Sequence, residues 1–129
     1  MPSIPFFSYI KVMKAETSIL PKFISRKLSA IEHLCRKHQV KNLWVFGSVL
    51  REDYRPDSDI DILYELDEKN IPDEVYLDNL DTFADALTQL LGRKTDFVHA
   101  PSLKNPYFIR EIEATKIPLY VQKPEEVSV

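Results

Sequence analysis

Two short clusters in this chain carry residue types that do chemistry. Gly47 and Ser48 close the apolar run "NLWVF", and ten residues later Asp59 and Asp61 flank Ile60. In an extended strand, side chains alternate faces. Asp59 and Asp61 would then project to one side, and Ile60 and Ile62 to the other, toward a core. Paired carboxylates repel, and burying them without a partner costs free energy. A hard divalent cation removes that repulsion. Mg²⁺ takes oxygen ligands, keeps several waters, and is commonly shared between one or two carboxylates and substrate phosphates. The competing reading is the solvent face of an ordinary half-buried strand. Against it, aspartate is a poor strand former.

The Gly-Ser pair adds to the first reading. The chain has 2 glycines, where average usage would give roughly nine. Gly47 sits where the first strand should end, and glycine lets backbone approach a ligand closely. Ser48 offers a hydroxyl and a backbone N–H to a phosphate oxygen. A short helix starting there would add its N-terminal N–H groups. An isolated Gly-Ser reads equally as a plain turn. Asp96, in "KTDFVHA", is the third piece. If that segment lies beside the Asp59–Asp61 strand, a third carboxylate completes a two-metal phosphoryl-transfer site and can accept the nucleophile's proton. Taken alone, Asp96 is a strand-edge residue.

The elements that must position these groups follow from periodicity. Pro21 precedes a helical pattern, with Ile24, Leu28, Ile31, Leu34 and Cys35 on one face, that should end near His38. "NLWVF" and "SDIDILYEL" read as strands. The loop between them is too short for a helical crossover, so they should be antiparallel. Pro72, Asp73 and Glu74 suit the start of a helix carrying Tyr76, Leu80, Phe83, Leu87 and Leu90, with Gly92 as its stop. "KTDFVHA" is a third strand, Tyr107 to Ala114 a short helix, and "IPLYVQ" a last strand at an edge. The class is α/β (α+β), with helices packed on a small sheet.

The 129 residues fit one domain. Residues 1–20 are expected to form an N-terminal arm, residues 21–123 the domain, and residues 124–129 a C-terminal tail. No apolar run is long enough to span a bilayer. The single cysteine, Cys35, agrees with a reducing cytoplasm. The net charge of −3 hides an asymmetry: residues 1–51 hold nine Lys/Arg and two Glu, whereas residues 52–91 hold thirteen Asp/Glu and two Lys/Arg. His33, His38 and His99 have no second ligand at useful spacing, which argues against zinc. Trp44 reads as core, with stacking on adenine as the alternative. Arg26, Lys27, Arg36, Lys37 and Lys41 lack an interleaved aromatic platform, so direct nucleic-acid binding is not expected.

Gly47-Ser48, ten residues, then Asp59-Ile60-Asp61 resembles the signature of the minimal nucleotidyltransferases of the DNA polymerase beta superfamily. The stretch "FGSVLREDYRPDSDIDILYE" is similar to the antitoxin component of HEPN–MNT toxin–antitoxin modules. The resemblance runs from about Pro21 to Gln122. It implies a polymerase-beta-like nucleotidyltransferase fold, with a small mixed sheet flanked by helices. It also implies transfer of AMP from ATP with two Mg²⁺ ions. By position, Gly47 and Ser48 would hold the triphosphate, Asp59 and Asp61 would ligate both metals, and Asp96 would ligate the catalytic metal and help deprotonate the incoming hydroxyl. Arg51 matches a commonly basic position and would contact phosphate, with a surface ion pair to Glu52 or Asp53 as the alternative. Many relatives read Ala-Arg-Gly where this chain has Leu50-Arg51-Glu52.

The implied acceptor is a tyrosine of a HEPN-family RNase toxin, which would make the chain an antitoxin and part of a hetero-oligomer. The acidic helix around Asp73 to Asp85 or the basic first helix would be its contact surface, unless both are only solvated faces. Two other functions remain open: neutralisation of the toxin by binding alone, and nucleotide transfer to a small molecule such as an aminoglycoside.

Overall fold

The computed structural model describes residues 20–51, 55 and 57–122. The expected N-terminal arm, apart from Leu20, and the C-terminal tail lie outside them. The elements run α1 (Lys22–Ser25), α2 (Leu28–Lys37), β1 (Val40–Phe46), β2 (Ile60–Leu66), α3 (Tyr76–Leu91), β3 (Thr95–His99), α4 (Pro106–Thr115) and β4 (Ile117–Val121). Single 3₁₀ turns occupy Gly47–Leu50, Glu68–Asn70, Asp73–Val75 and Ala100–Ser102.

The strands form one four-stranded sheet in the order β3-β2-β1-β4. β1 pairs antiparallel with β2 and with β4, and β2 pairs parallel with β3. The antiparallel first pair and the edge position of β4 agree with the sequence expectations. The parallel pair is what lets α3 lie between β2 and β3 in sequence, since parallel neighbours need a crossover. The fold is the small mixed sheet with helices that the sequence led us to expect.

Three boundaries differ from expectation. The first helix is two pieces, broken at Arg26 and Lys27. At the break Lys27 takes φ −110° and ψ 10°, and its ammonium donates to the Leu90 carbonyl in the last turn of α3. That cation satisfies a carbonyl the helix end leaves orphaned. The third helix becomes α-helical only at Tyr76, because Asp73–Val75 forms a tighter turn first. β2 begins at Ile60, so Asp59 lies one residue before the strand rather than inside it.

The sheet has two unlike faces. Ile60, Ile62, Tyr64 and Leu66 of β2 point to a large core shared with Ile24, Ile31, Cys35, Phe83 and Leu87 of the three N-terminal helices. The intervening Leu63 points the other way, to a small cluster with Phe46 and Ile112, flanked by Trp44, Val98, Leu103 and Phe108. α4 covers this second face only in part. Its start is well built: Pro106 needs no N–H partner at the first helical position, and the Asn105 side chain accepts from the N–H groups of Tyr107 and Phe108 at 2.9 and 3.3 Å.

Candidate active site

The parallel pairing sets Asp61 beside Asp96, and the antiparallel pairing sets Asp61 opposite Phe46, the residue before Gly47. Three segments far apart in sequence therefore meet at one end of the sheet. Backbone pairing continues upstream, since the Ile60 N–H donates to the Lys94 carbonyl at 2.9 Å. That bond holds Asp59 near the same end. Asp59 and Asp61 are half-buried, and Asp96 is exposed.

The electrostatics show that the three carboxylates sense one another. Burial raises the Asp61 carboxyl above its ordinary value, and the charges of Asp96 and then Asp59 raise it further. This is the pattern of a carboxylate held among like charges. Among the described residues no three acidic, His or Cys side chains already close into a metal cage. The donor set itself suits a hard cation: three carboxylates, one of them with its charge disfavoured by the other two.

Gly47 completes the corner. Its φ of 84° lies in the left-handed region, where glycine is the cheapest residue. A Cβ there would overlap Oδ2 of Asp61 and stand 3.2 Å from its Cγ. The glycine is thus required by the carboxylate as well as by the turn. Ser48 follows in the 3₁₀ turn Gly47–Leu50, and Arg51 closes that turn, its N–H donating to the Ser48 carbonyl at 3.0 Å.

A cleft of about 520 Å³ opens beside this corner. Gly47, Ser48, Arg51 and Asp61 line one wall, and Phe108, Glu111, Ile112 and Thr115 of α4 line the other. Phe108 is fixed edge-on against Phe46, with ring centroids 6.1 Å apart. The α4 wall is the part of the site that sequence reasoning missed. Positions 108, 111, 112 and 115 follow helical spacing, but that stripe reads as any amphipathic helix.

The structure therefore brings together Gly47, Ser48, Arg51, Asp59, Asp61 and Asp96. The other candidates fall elsewhere. Trp44 packs in the small core cluster, its ring 4.4 Å from the Lys116 ammonium, and is not among the residues lining the cleft. His38 is buried and bonds Asn79, with Nδ1 3.2 Å from Oδ1 and its carbonyl accepting from Nδ2 at 2.7 Å. His99 sits at the opposite end of β3 from Thr95, its Nδ1 2.6 Å from the Ser102 hydroxyl. Burial pushes the Cys35 thiol well up, with Glu32 adding to the shift, so Cys35 is inert core. The acidic residues Asp73, Glu74, Asp78, Asp81 and Asp85 are exposed. No helix among the described residues is long and apolar enough to cross a membrane.

Comparison with known proteins gives this geometry a context. The family model for the nucleotidyltransferase domain matches residues 29–119. A chain of Methanocaldococcus jannaschii, provisionally named a protein adenylyltransferase, is 36% identical over 97 residues, covering 68% of this chain and 93% of the relative. A solved structure provisionally named a minimal nucleotidyltransferase superposes with a TM-score of 0.60 and 30% identity, covering 75% of this chain and 93% of the other. The fold also matches, with a TM-score of 0.51 and 19% identity, a chain from a Shewanella oneidensis complex of MNT antitoxin with a tri-AMPylated HEPN toxin, covering 77% of this chain and 73% of that one.

Proposed function

The chain belongs to the nucleotidyltransferase domain family, as a minimal nucleotidyltransferase, and we propose that it transfers AMP from ATP to a hydroxyl of a partner protein. The observation that carries this is the convergence of Asp61, Asp96 and the Gly47 turn, with Asp61 strained by both neighbouring charges.

Each residue has a role in this reading. The Ser48 hydroxyl and the N–H groups of the Gly47–Leu50 turn bind the triphosphate, and Arg51 offers it a guanidinium. Asp59, Asp61 and Asp96 would hold Mg²⁺, two ions in the full site. When bound, the metal neutralises charge on the phosphates and on the departing pyrophosphate. The acceptor oxygen forms a bond to the α-phosphorus, and the bond from that phosphorus to the bridging oxygen breaks. Asp96, exposed at the edge, takes the acceptor's proton. Pyrophosphate leaves with the bonding pair.

The partner in this reading is a HEPN-family toxin, the acceptor one of its tyrosines, and the setting the cytoplasm, which supplies ATP and Mg²⁺. The chain would then act as an antitoxin. The named relatives and the fold match to an MNT antitoxin support that choice. The test is incubation with ATP labelled on the α-phosphate, Mg²⁺ and a HEPN-family protein encoded beside this one. Label should enter a tyrosine of the partner, and toxin RNase activity should fall with it. Unlabelled but inhibited toxin would replace transfer with neutralisation by contact.

A further inference from the structure

The cleft has an electrical polarity that orients whatever enters it. At one end stand the Gly47–Leu50 turn, the Ser48 hydroxyl and the Arg51 guanidinium, all donors. At the other stands the Glu111 carboxylate, which only accepts. Between them lie Asp61 and the apolar surfaces of Phe108 and Ile112. A phosphate chain fits the donor end and is repelled by Glu111. The Glu111 end fits a neutral group that donates hydrogen bonds and has an apolar face.

Glu111 is also available. Glu113, on the next turn, pairs with Lys116 at 2.7 Å. Among the described residues the Glu111 carboxylate joins no hydrogen bond or ion pair; only its backbone carbonyl is used, by Thr115 at 3.1 Å. The helix that carries it is fixed, because Ile112 is buried and Phe108 is packed on Phe46. The volume of about 520 Å³ lies within the range of small-molecule sites.

We propose that the α4 wall is the nucleoside-reading surface of the site: Phe108 and Ile112 pack the base or sugar, and Glu111 accepts hydrogen bonds from the nucleoside's own donors. This rests on the nucleotidyltransferase reading above and names the residue that sets its nucleotide preference. Two groups on ATP supply such donors, the ribose hydroxyls and the exocyclic amine. Their chemistry toward a carboxylate is shared, and nucleotide analogues separate them.

The experiment measures binding, so it needs no partner protein. Titration calorimetry on the full chain with Mg²⁺ uses the α,β-methylene forms of ATP, 2′-deoxyATP, 3′-deoxyATP and purine riboside triphosphate, which lacks the amine. Wild type should bind the ATP form and discriminate against at least one of the others. Glu111→Ala should weaken the ATP form about tenfold or more, the loss expected for a hydrogen bond to a charged group. Glu111→Gln keeps an acceptor and should lose less. Glu111→Ala should also erase the discrimination: against the deoxy forms if the ribose is read, against the purine riboside if the amine is. The position is exposed, so an unchanged melting temperature verifies folding. A Glu111→Ala protein that binds the ATP form as tightly as wild type, or keeps the same discrimination, overturns the inference and leaves the nucleotidyltransfer reading standing. Wild type that binds none of the four overturns both.

Discussion

One strand serves two faces of this molecule, and the faces are built on opposite terms. On the helical face, Ile60 and Ile62 are completely buried against α1, α2 and α3. On the α4 face, the neighbour Asp61 stays half-open beside Asp59 and Asp96, and only Phe46, Leu63 and Ile112 form a buried cluster. The first face supplies the apolar burial that holds the sheet. The second leaves carboxylates close enough to oppose one another, which costs stability unless a cation or substrate arrives. Stability and chemistry are thus divided by side-chain parity within a single strand.

The largest effect that tests this division is Phe83→Ala. Phe83 is fully buried and touches Phe97, with ring centroids 6.4 Å apart, and His38 at 5.8 Å. Truncation should cost about 3–5 kcal/mol by denaturant titration, while AMP transfer per folded molecule stays near wild type. A variant that keeps its stability but loses turnover would break the division. The mirror experiment is Asp96→Asn. An exposed carboxylate at the end of β3 should be neutral for melting temperature, yet labelled transfer should fall about 10²–10⁴-fold, the range for a positioned proton acceptor. Full activity in that variant would reduce Asp96 to a strand-edge residue.

Gly47→Ala should damage both faces, and Gly92→Ala is its internal control. Both glycines take positive φ, 84° and 70°. A Cβ at Gly92 meets nothing within 4 Å, whereas one at Gly47 meets the Asp61 carboxylate. Each should lose about 1–3 kcal/mol from backbone strain, seen as a lower midpoint in urea. Only Gly47→Ala should also lose nucleotide affinity. Equal affinity in the two variants would mean that the Asp61 position is not part of the nucleotide site.

How much of this could be read from sequence follows the same line between local and non-local determinants. The strand assignments and the antiparallel pairing of β1 with β2 rested on alternation and a short connection, both local. The Gly-Ser to Asp spacing exposed one half of the site for the same reason. Asp96 could be suspected but not placed, because its position beside Asp61 depends on α3 crossing between parallel strands. The break at Arg26 and Lys27 escaped because its cause is a contact with Leu90 on another helix. Phe108 and Glu111 escaped because nothing in the amphipathic spacing of α4 says what lies across from it. The start of β2 was misjudged by about two residues, a normal error for a boundary, and it moved Asp59 out of the strand without removing it from the cluster.

The smallest effect is the most diagnostic of how the acidic face is held. Asp61 has a carboxyl raised above 3.8, by burial first and then by Asp96 and Asp59. The folded chain therefore holds that proton more tightly than the unfolded chain does. Below 3.8 both states are protonated and Asp61 costs nothing. As pH rises through the window between 3.8 and the raised value, the folded state must ionise a group that disfavours charge, so stability falls, and above the window the full cost is present. Asp61→Asn removes that cost. In metal-free buffer at neutral pH the variant should melt slightly above wild type, and the margin should close as the pH is lowered toward 3.8. Adding Mg²⁺ should raise the wild-type melting temperature and leave the variant nearly unmoved, because the charges that oppose one another are the ones a cation joins. A margin that stays constant across pH would assign the cost to packing around Asp61 rather than to its charge.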